Sequence, residues 1–167
     1  TVSTTFTVYV KLSFFAISFA NAQEKPKSTP EKATGMINGA TIQINYGSPS
    51  VRARKIWGEL VPFNEVWRAG ANEATTFETD KDLTIEGSKL PAGKYSFFVI
   101  PNEKQCVLIF NKEAKQWGAY KYKETEDQLR VTVKHKLADS NTESLIYNIN
   151  KNSIVLSWEK WNIPISV

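Results

Sequence analysis

Apolar and polar residues alternate with a period of two along much of the chain. Ile42, Ile44 and Tyr46 alternate with Gln43 and Asn45, and Leu129, Val131 and Val133 alternate with Arg130, Thr132 and Lys134. Leu145, Tyr147 and Ile149 share one phase, and Ile154, Leu156 and Trp158 share another. Successive side chains of a strand point to opposite faces, so each run predicts a strand with one face buried. Two runs, Tyr95 to Ile100 and Cys106 to Phe110, are apolar almost throughout. They predict a central hairpin buried on both faces, with Pro101-Asn102 opening its turn. Leu90-Pro91-Ala92-Gly93 fits a type I turn, with Pro second and Gly fourth, and Gly87-Ser88 marks a further tight turn.

Nothing comparable argues for helix. The best candidate is Lys112 to Trp117, enough for one short helix at most. About eight to ten short strands punctuated by turns predict an all-β fold, a single-domain antiparallel β-sandwich, with a β-barrel as the alternative. The length of 167 residues fits one domain, placed at 35–167, and no internal repeat divides it.

The N-terminus follows a different rule. Lys11, the apolar stretch Leu12 to Phe19 and the small-x-small triplet Ala20-Asn21-Ala22 form the pattern of a signal peptide, 1–22, cleaved after Ala22. Residues 1–10, apolar, Thr-rich and without an initiator Met, stand apart from that pattern. A membrane anchor needs about 20 apolar residues, which this segment reaches only with Lys11 in its middle, so it ranks second. No Cys follows the cleavage site to carry a lipid. Residues 23–34, polar and holding Pro26 and Pro30, read as a flexible lead-in. The expected location is periplasmic or secreted, with no stable membrane insertion after cleavage.

Residues 47–73 break the alternation. This long connection carries Arg52, Arg54, Lys55 and Arg68, the tryptophans Trp57 and Trp67, and Glu59, Glu65, Asn72 and Glu73. Long connections inside compact domains are often functional. Guanidinium forks suit carboxylate, phosphate or sulfate, and indole faces suit sugar rings or cations. The candidate ligand-binding residues are therefore Arg52, Arg54, Lys55, Trp67, Arg68, Asn72 and Glu73, with Trp117 from a later segment. A packing reading competes, in which Trp57, Phe63 and Trp67 plug one end of the sandwich and the arginines pair with Glu59, Glu65 and Glu73.

Other chemistry is thinly represented. His135 is the single His and Cys106 the single Cys, so neither an internal disulfide nor a metal site of ordinary composition is expected, and no cofactor is implied. His135, in phase with Leu129, Val131 and Val133, belongs at a sheet edge or core rim, and Cys106 in the core. There is no nucleophile elbow and no phosphate-cradling glycine loop. The net charge of +4, from 21 basic and 17 acidic residues, is scattered without a basic run, which argues against nucleic acid as partner.

The stretch Ser50-Val51-Arg52 through Arg54-Lys55-Ile56-Trp57-Gly58, Leu60-Val61-Pro62 and Val66-Trp67-Arg68-Ala69-Gly70-Ala71-Asn72-Glu73 resembles the DUF2911 family. So do Leu90 to Tyr95, Phe110-Asn111-Lys112, Gln116 to Tyr120 and Leu129-Arg130-Val131. The resemblance covers roughly residues 33–167. It implies an exported bacterial protein, mainly of Bacteroidetes, and brings no catalytic residue with it. Three functions are therefore carried forward. The first is a non-catalytic binding module for a small anionic or sugar-like ligand. The second is a glycosidase-like hydrolase using Glu73 with Glu59 or Glu65. The third is a structural or interaction protein of the cell envelope.

Overall fold

The computed structural model describes residues 28–167. The signal peptide expected at 1–22 and the first part of the expected lead-in lie outside the described residues. Among the described residues ten strands follow in chain order: β1 (Thr29–Ile37), β2 (Ala40–Ser48), β3 (Thr75–Thr79), β4 (Leu83–Ile85), β5 (Ser88–Leu90), β6 (Gly93–Pro101), β7 (Cys106–Asn111), β8 (Asp127–Val133), β9 (Lys136–Ile149) and β10 (Ser153–Ser166). Six of them form one antiparallel sheet in the order β1-β2-β3-β6-β7-β8. The hairpins β9–β10 and β4–β5 pair separately, and their apolar faces join those of the large sheet in one core. The large sheet does not close on itself, so the architecture is a sandwich and not a barrel.

The alternation seen in the sequence produces this arrangement directly. Ile42, Ile44, Phe77, Phe97, Leu108, Phe110 and Val131 face the second layer, where Leu145, Tyr147, Leu156, Trp158 and Ile163 meet them. Each fully buried side chain of this size contributes about 1.5–3 kcal/mol of transfer free energy. The central hairpin β6–β7 is buried on both faces, because Phe98 and Ile109 form a second, smaller cluster on the outer face of the large sheet. Cys106 is fully buried, and burial pushes its thiol up to about 11.

Two expectations need correction. The chain is already in β1 from Thr29, inside the stretch read as lead-in. This edge strand is mostly exposed, so it lacks an apolar alternation, and pairing with β2 defines it instead. The turn between them, Asn38-Gly39, has both residues at positive φ (50° and 78°), the mirror-image turn that matches strand twist. Second, Lys112 to Trp117 is not helical. Its backbone groups are taken otherwise: Glu113 N donates to Asn111 Oδ1, Lys115 N to Glu113 Oε1, and Gln116 O accepts from Ala74 N. The one helical turn among the described residues is a 3-10 turn at Glu124–Glu126.

Candidate functional site

The irregular connection runs from the end of β2 to the start of β3 and divides into two parts with opposite fates. In the first part, Val51 N donates to Glu143 O and Leu145 N to Pro49 O, which docks the chain on β9. Arg52 and Ala53 turn through positive φ, and Arg52 N donates to Glu143 Oε1. Arg54 is spent locally, its Nε donating to Val51 O and its Nη2 to Ser50 O. Lys55 pairs with Glu59 at 3.1 Å. Trp57 then enters the core and stacks on Trp161 at 4.3 Å, with Phe63 on the same column. Trp67 stacks on Trp158 at 5.8 Å. Packing therefore accounts for Trp57, Phe63 and Trp67, and Arg52, Arg54 and Lys55 stand on a different part of the surface from Trp117.

The second part builds the site. Trp67 pairs with Val99 of β6 across an isolated bridge, and Thr75 N returns to Arg68 O, so residues 69–74 bulge out as a loop. This loop rests against β2 by close backbone contact. Ala71 N donates to Gly47 O, and a Cβ on Gly47 would stand 2.2 Å from Ala71 O, so only glycine fits. Thr75 Oγ1 and the Tyr147 hydroxyl both donate to Ala69 O, fixing the base of the loop from below.

A second loop meets it from the other side. Residues 112–123 leave β7 and cross the outer face of the large sheet. Ala74 N donates to Gln116 O and Gly118 N to Asn72 O, so the two loops zip together over a short antiparallel bridge, Glu73 to Trp117. The crossing loop hangs on Asn111, which is fully buried at the end of β7. Its Nδ2 donates to Lys123 O at 3.0 Å and to Asp127 Oδ1 at 2.8 Å, and its Oδ1 accepts from Glu113 N at 3.1 Å and Gln116 Nε2 at 3.4 Å. Tyr122 donates to the same Asp127 carboxylate, and burial together with that carboxylate holds its hydroxyl well above the usual phenol range.

Between the zipped loops and the outer face of β1, β2 and β3 lies a groove of about 1580 Å³. Asn45 and Thr76 line its sheet side, joined by a hydrogen bond of 3.3 Å. Trp117 and Tyr120 line its other side and remain 59% and 85% exposed. Four lysines, Lys32, Lys94, Lys115 and Lys121, border it against two carboxylates, Glu31 and Glu73. Lys94 makes only a long pair, 3.8 Å, with Glu78, both half exposed, which neutralises little of its charge. Tyr46 also lines the groove; burial raises its phenol, with Glu31 adding to the rise against the hydrogen bond from Tyr147 N.

Of the residues picked from sequence, Asn72, Glu73 and Trp117 line this groove. Arg68 lies directly behind its wall, with Nη1 3.4 Å from where a Cβ on Gly118 would be. Neither Glu59 nor Glu65 borders the groove, so Glu73 meets neither of its suggested partners there. Sequence reasoning passed over Tyr120, Gln116 and the four lysines. An aromatic-rich run that fails to alternate, Trp117-Gly118-Ala119-Tyr120, was the signal that could have found the wall. His135 lies just past the end of β8, stacked face to face on Trp161 at 3.5 Å, and burial lowers its pKa. No group of His, Cys, Asp and Glu suited to a metal ion is found among the described residues.

Comparison with curated proteins and with solved structures finds no match to the chain. A family model described as a protein of unknown function (DUF2911) matches residues 28–167, which takes in every strand and both loops of the groove. The chain belongs to the DUF2911 family.

Proposed function

We propose that the protein is an exported, non-catalytic binding module, periplasmic or secreted, that takes a small anionic, sugar-like ligand in the groove beneath Trp117 and Tyr120. The observation that carries this reading is the exposure of two large aromatic rings on one wall of a lysine-bordered groove. Side chains of this size ordinarily bury their rings, and the other aromatic residues among the described ones are buried or partly buried. Rings held out by a hydrogen-bonded loop offer flat faces to a pyranose, and Asn45, Asn72 and Thr76 offer hydrogen-bonding groups to its hydroxyls. The excess of lysine over carboxylate favours a negatively charged ligand. Export rests on the Ala20-Asn21-Ala22 cleavage pattern.

The test is calorimetric titration with a panel of neutral and acidic oligosaccharides. Trp117→Ala is expected to weaken binding at least tenfold, about 1.4 kcal/mol. Unchanged affinity in a Trp117→Ala/Tyr120→Ala double variant, or heat of binding from no sugar in the panel, overturns the reading.

A further inference from the structure

Two polar groups, one lining the groove and one directly behind its wall, are left unpaired by the protein itself. Gln116 is the first. Its Nε2 donates to Glu113 O at 2.8 Å and approaches Asn111 Oδ1 at 3.4 Å. Asn111 Oδ1 is fixed as an acceptor, because Asn111 Nδ2 already donates to Lys123 O and Asp127 Oδ1. The amide of Gln116 therefore cannot be turned round, and its Oε1 is held as an acceptor that meets no donor among the described residues. The residue is only 8% exposed, so this is a buried and unsatisfied oxygen. Such a group costs stability unless something pairs with it.

Arg68 is the second. Its Nε is buried with no acceptor, while the side chain as a whole keeps part of its surface in solvent. Among the described residues no carboxylate forms an ion pair with its guanidinium. Trp67 and Ala69 on either side of Arg68 belong to the inner core, which leaves Arg68 on the outer face under the crossing loop. Its Nη1 and the Tyr120 ring both lie against Gly118, 3.4 Å and 3.0 Å from where a Cβ there would stand. The segments bearing the two groups are joined by the Ala74–Gln116 and Gly118–Asn72 hydrogen bonds, so cation and acceptor are built into one wall.

A partly buried cation and a buried acceptor on one wall call for a ligand with the reverse pair. We infer that Arg68 and Gln116 select an acidic sugar, the oxyanion lying on the Arg68 guanidinium and a neighbouring hydroxyl donating to Gln116 Oε1. This rests on the proposed groove function and adds the residue that distinguishes acidic from neutral sugars. The guanidinium fork accepts a carboxylate or a sulfate with two parallel hydrogen bonds. Engagement of either group requires an outward movement of the 116–120 wall, because Gln116 Oε1 and Arg68 Nε are buried and Arg68 stands behind that wall. The lysines at the rim would speed the approach of any anion without discriminating among them.

The experiment titrates the protein with three ligands: a uronate oligosaccharide, the same oligosaccharide with its carboxyl groups reduced to primary alcohols, and a sulfated neutral counterpart. Wild type is expected to bind the uronate or the sulfated sugar at least tenfold more tightly than the reduced one. The arm that binds more tightly identifies the oxyanion. In Arg68→Gln that ratio falls to about one, and in Arg68→Lys, which keeps the charge without the fork, it recovers only in part. Circular dichroism and thermal melting verify that each variant is folded, and if Arg68→Gln is not, Arg68→Lys against wild type decides. An Arg68→Gln protein that keeps the full acidic preference overturns the inference while leaving the groove reading intact. Undiminished binding of every sugar by Trp117→Ala overturns the groove reading instead. Equal affinity of wild type for the acidic and reduced sugars, or no binding of any of the three, also refutes the inference.

Discussion

Replacing Asn111 by Ala should detach the wall of the groove without touching any groove surface. The side chain is fully buried and makes three hydrogen bonds of 2.8–3.1 Å, with a longer fourth from Gln116. At about 1 kcal/mol net for each of the three, the direct loss is about 3 kcal/mol. The groups left behind add to this. Lys123 O and Glu113 N each lose a part-buried partner, and the part-buried Asp127 carboxylate keeps the Tyr122 hydroxyl and loses an amide donor. The cavity is small, because only an amide is removed, so a total of about 3–4 kcal/mol is expected. With a urea slope of roughly 2 kcal/mol per molar, the unfolding midpoint should fall by about 1.5–2 M. Hydrogen exchange should localise the change, with faster exchange at the Ala74 and Gly118 amides, whose bonds zip the two loops, and little change at β9–β10. A loss of less than about 1 kcal/mol, or acceleration spread evenly over the chain, would refute the claim that Asn111 is the hub of this loop.

Two further perturbations probe other links. Gly47→Ala places a methyl 2.2 Å from the Ala71 carbonyl, a backbone atom with no rotamer to yield, so a loss of about 2 kcal/mol or more and a weakened groove are expected by chemical denaturation; a neutral effect would show the close contact to be unimportant. His135 is the one titratable group near neutrality whose folded pKa is depressed, by burial. The unfolded chain, with its His near 6.5, binds the proton first, so stability is constant above that pH and declines as pH falls from there through the lower folded value. His135→Phe keeps a ring for Trp161 and removes the proton site, so its urea midpoint should fall less than that of wild type between pH 7 and pH 5; parallel pH dependences would exclude His135 as the cause.

The strands that bury one face were legible in the sequence because burial writes itself as alternation. Ile42-Gln43-Ile44 and Leu129 to Val133 are examples, and the doubly buried β6–β7 hairpin was legible from its unbroken apolar run. β1 was not, because an exposed edge strand has no face to mark; the informative residues were Asn38-Gly39, whose turn chemistry announces a hairpin without help from the pattern. The site was half legible. Asn72, Glu73 and Trp117 reached the groove, and Arg68 its wall. Arg54 did not, because its two donors find carbonyls three and four residues back, and the positive-φ turn at Arg52-Ala53 aims that segment at β9. The four lysines came from three separate segments, one each from β1 and β6 and two from the crossing loop, so only the folded topology collects them.

The distribution of the five tryptophans has an optical consequence. Trp57, Trp67, Trp158 and Trp161 lie in one ring-to-ring network within the sandwich, where stacked and edge-on indoles couple their transitions. Trp117 is excluded from that network and stands in solvent. Excitation of the indoles therefore reports two events through two populations. The coupled four give a near-ultraviolet dichroism band that vanishes when the core melts. The solitary fifth emits at longer wavelength and is open to iodide or acrylamide, and a ligand lying on its face would shield it. Core integrity and groove occupancy can thus be followed in the same cuvette, without a label, on the unmodified chain.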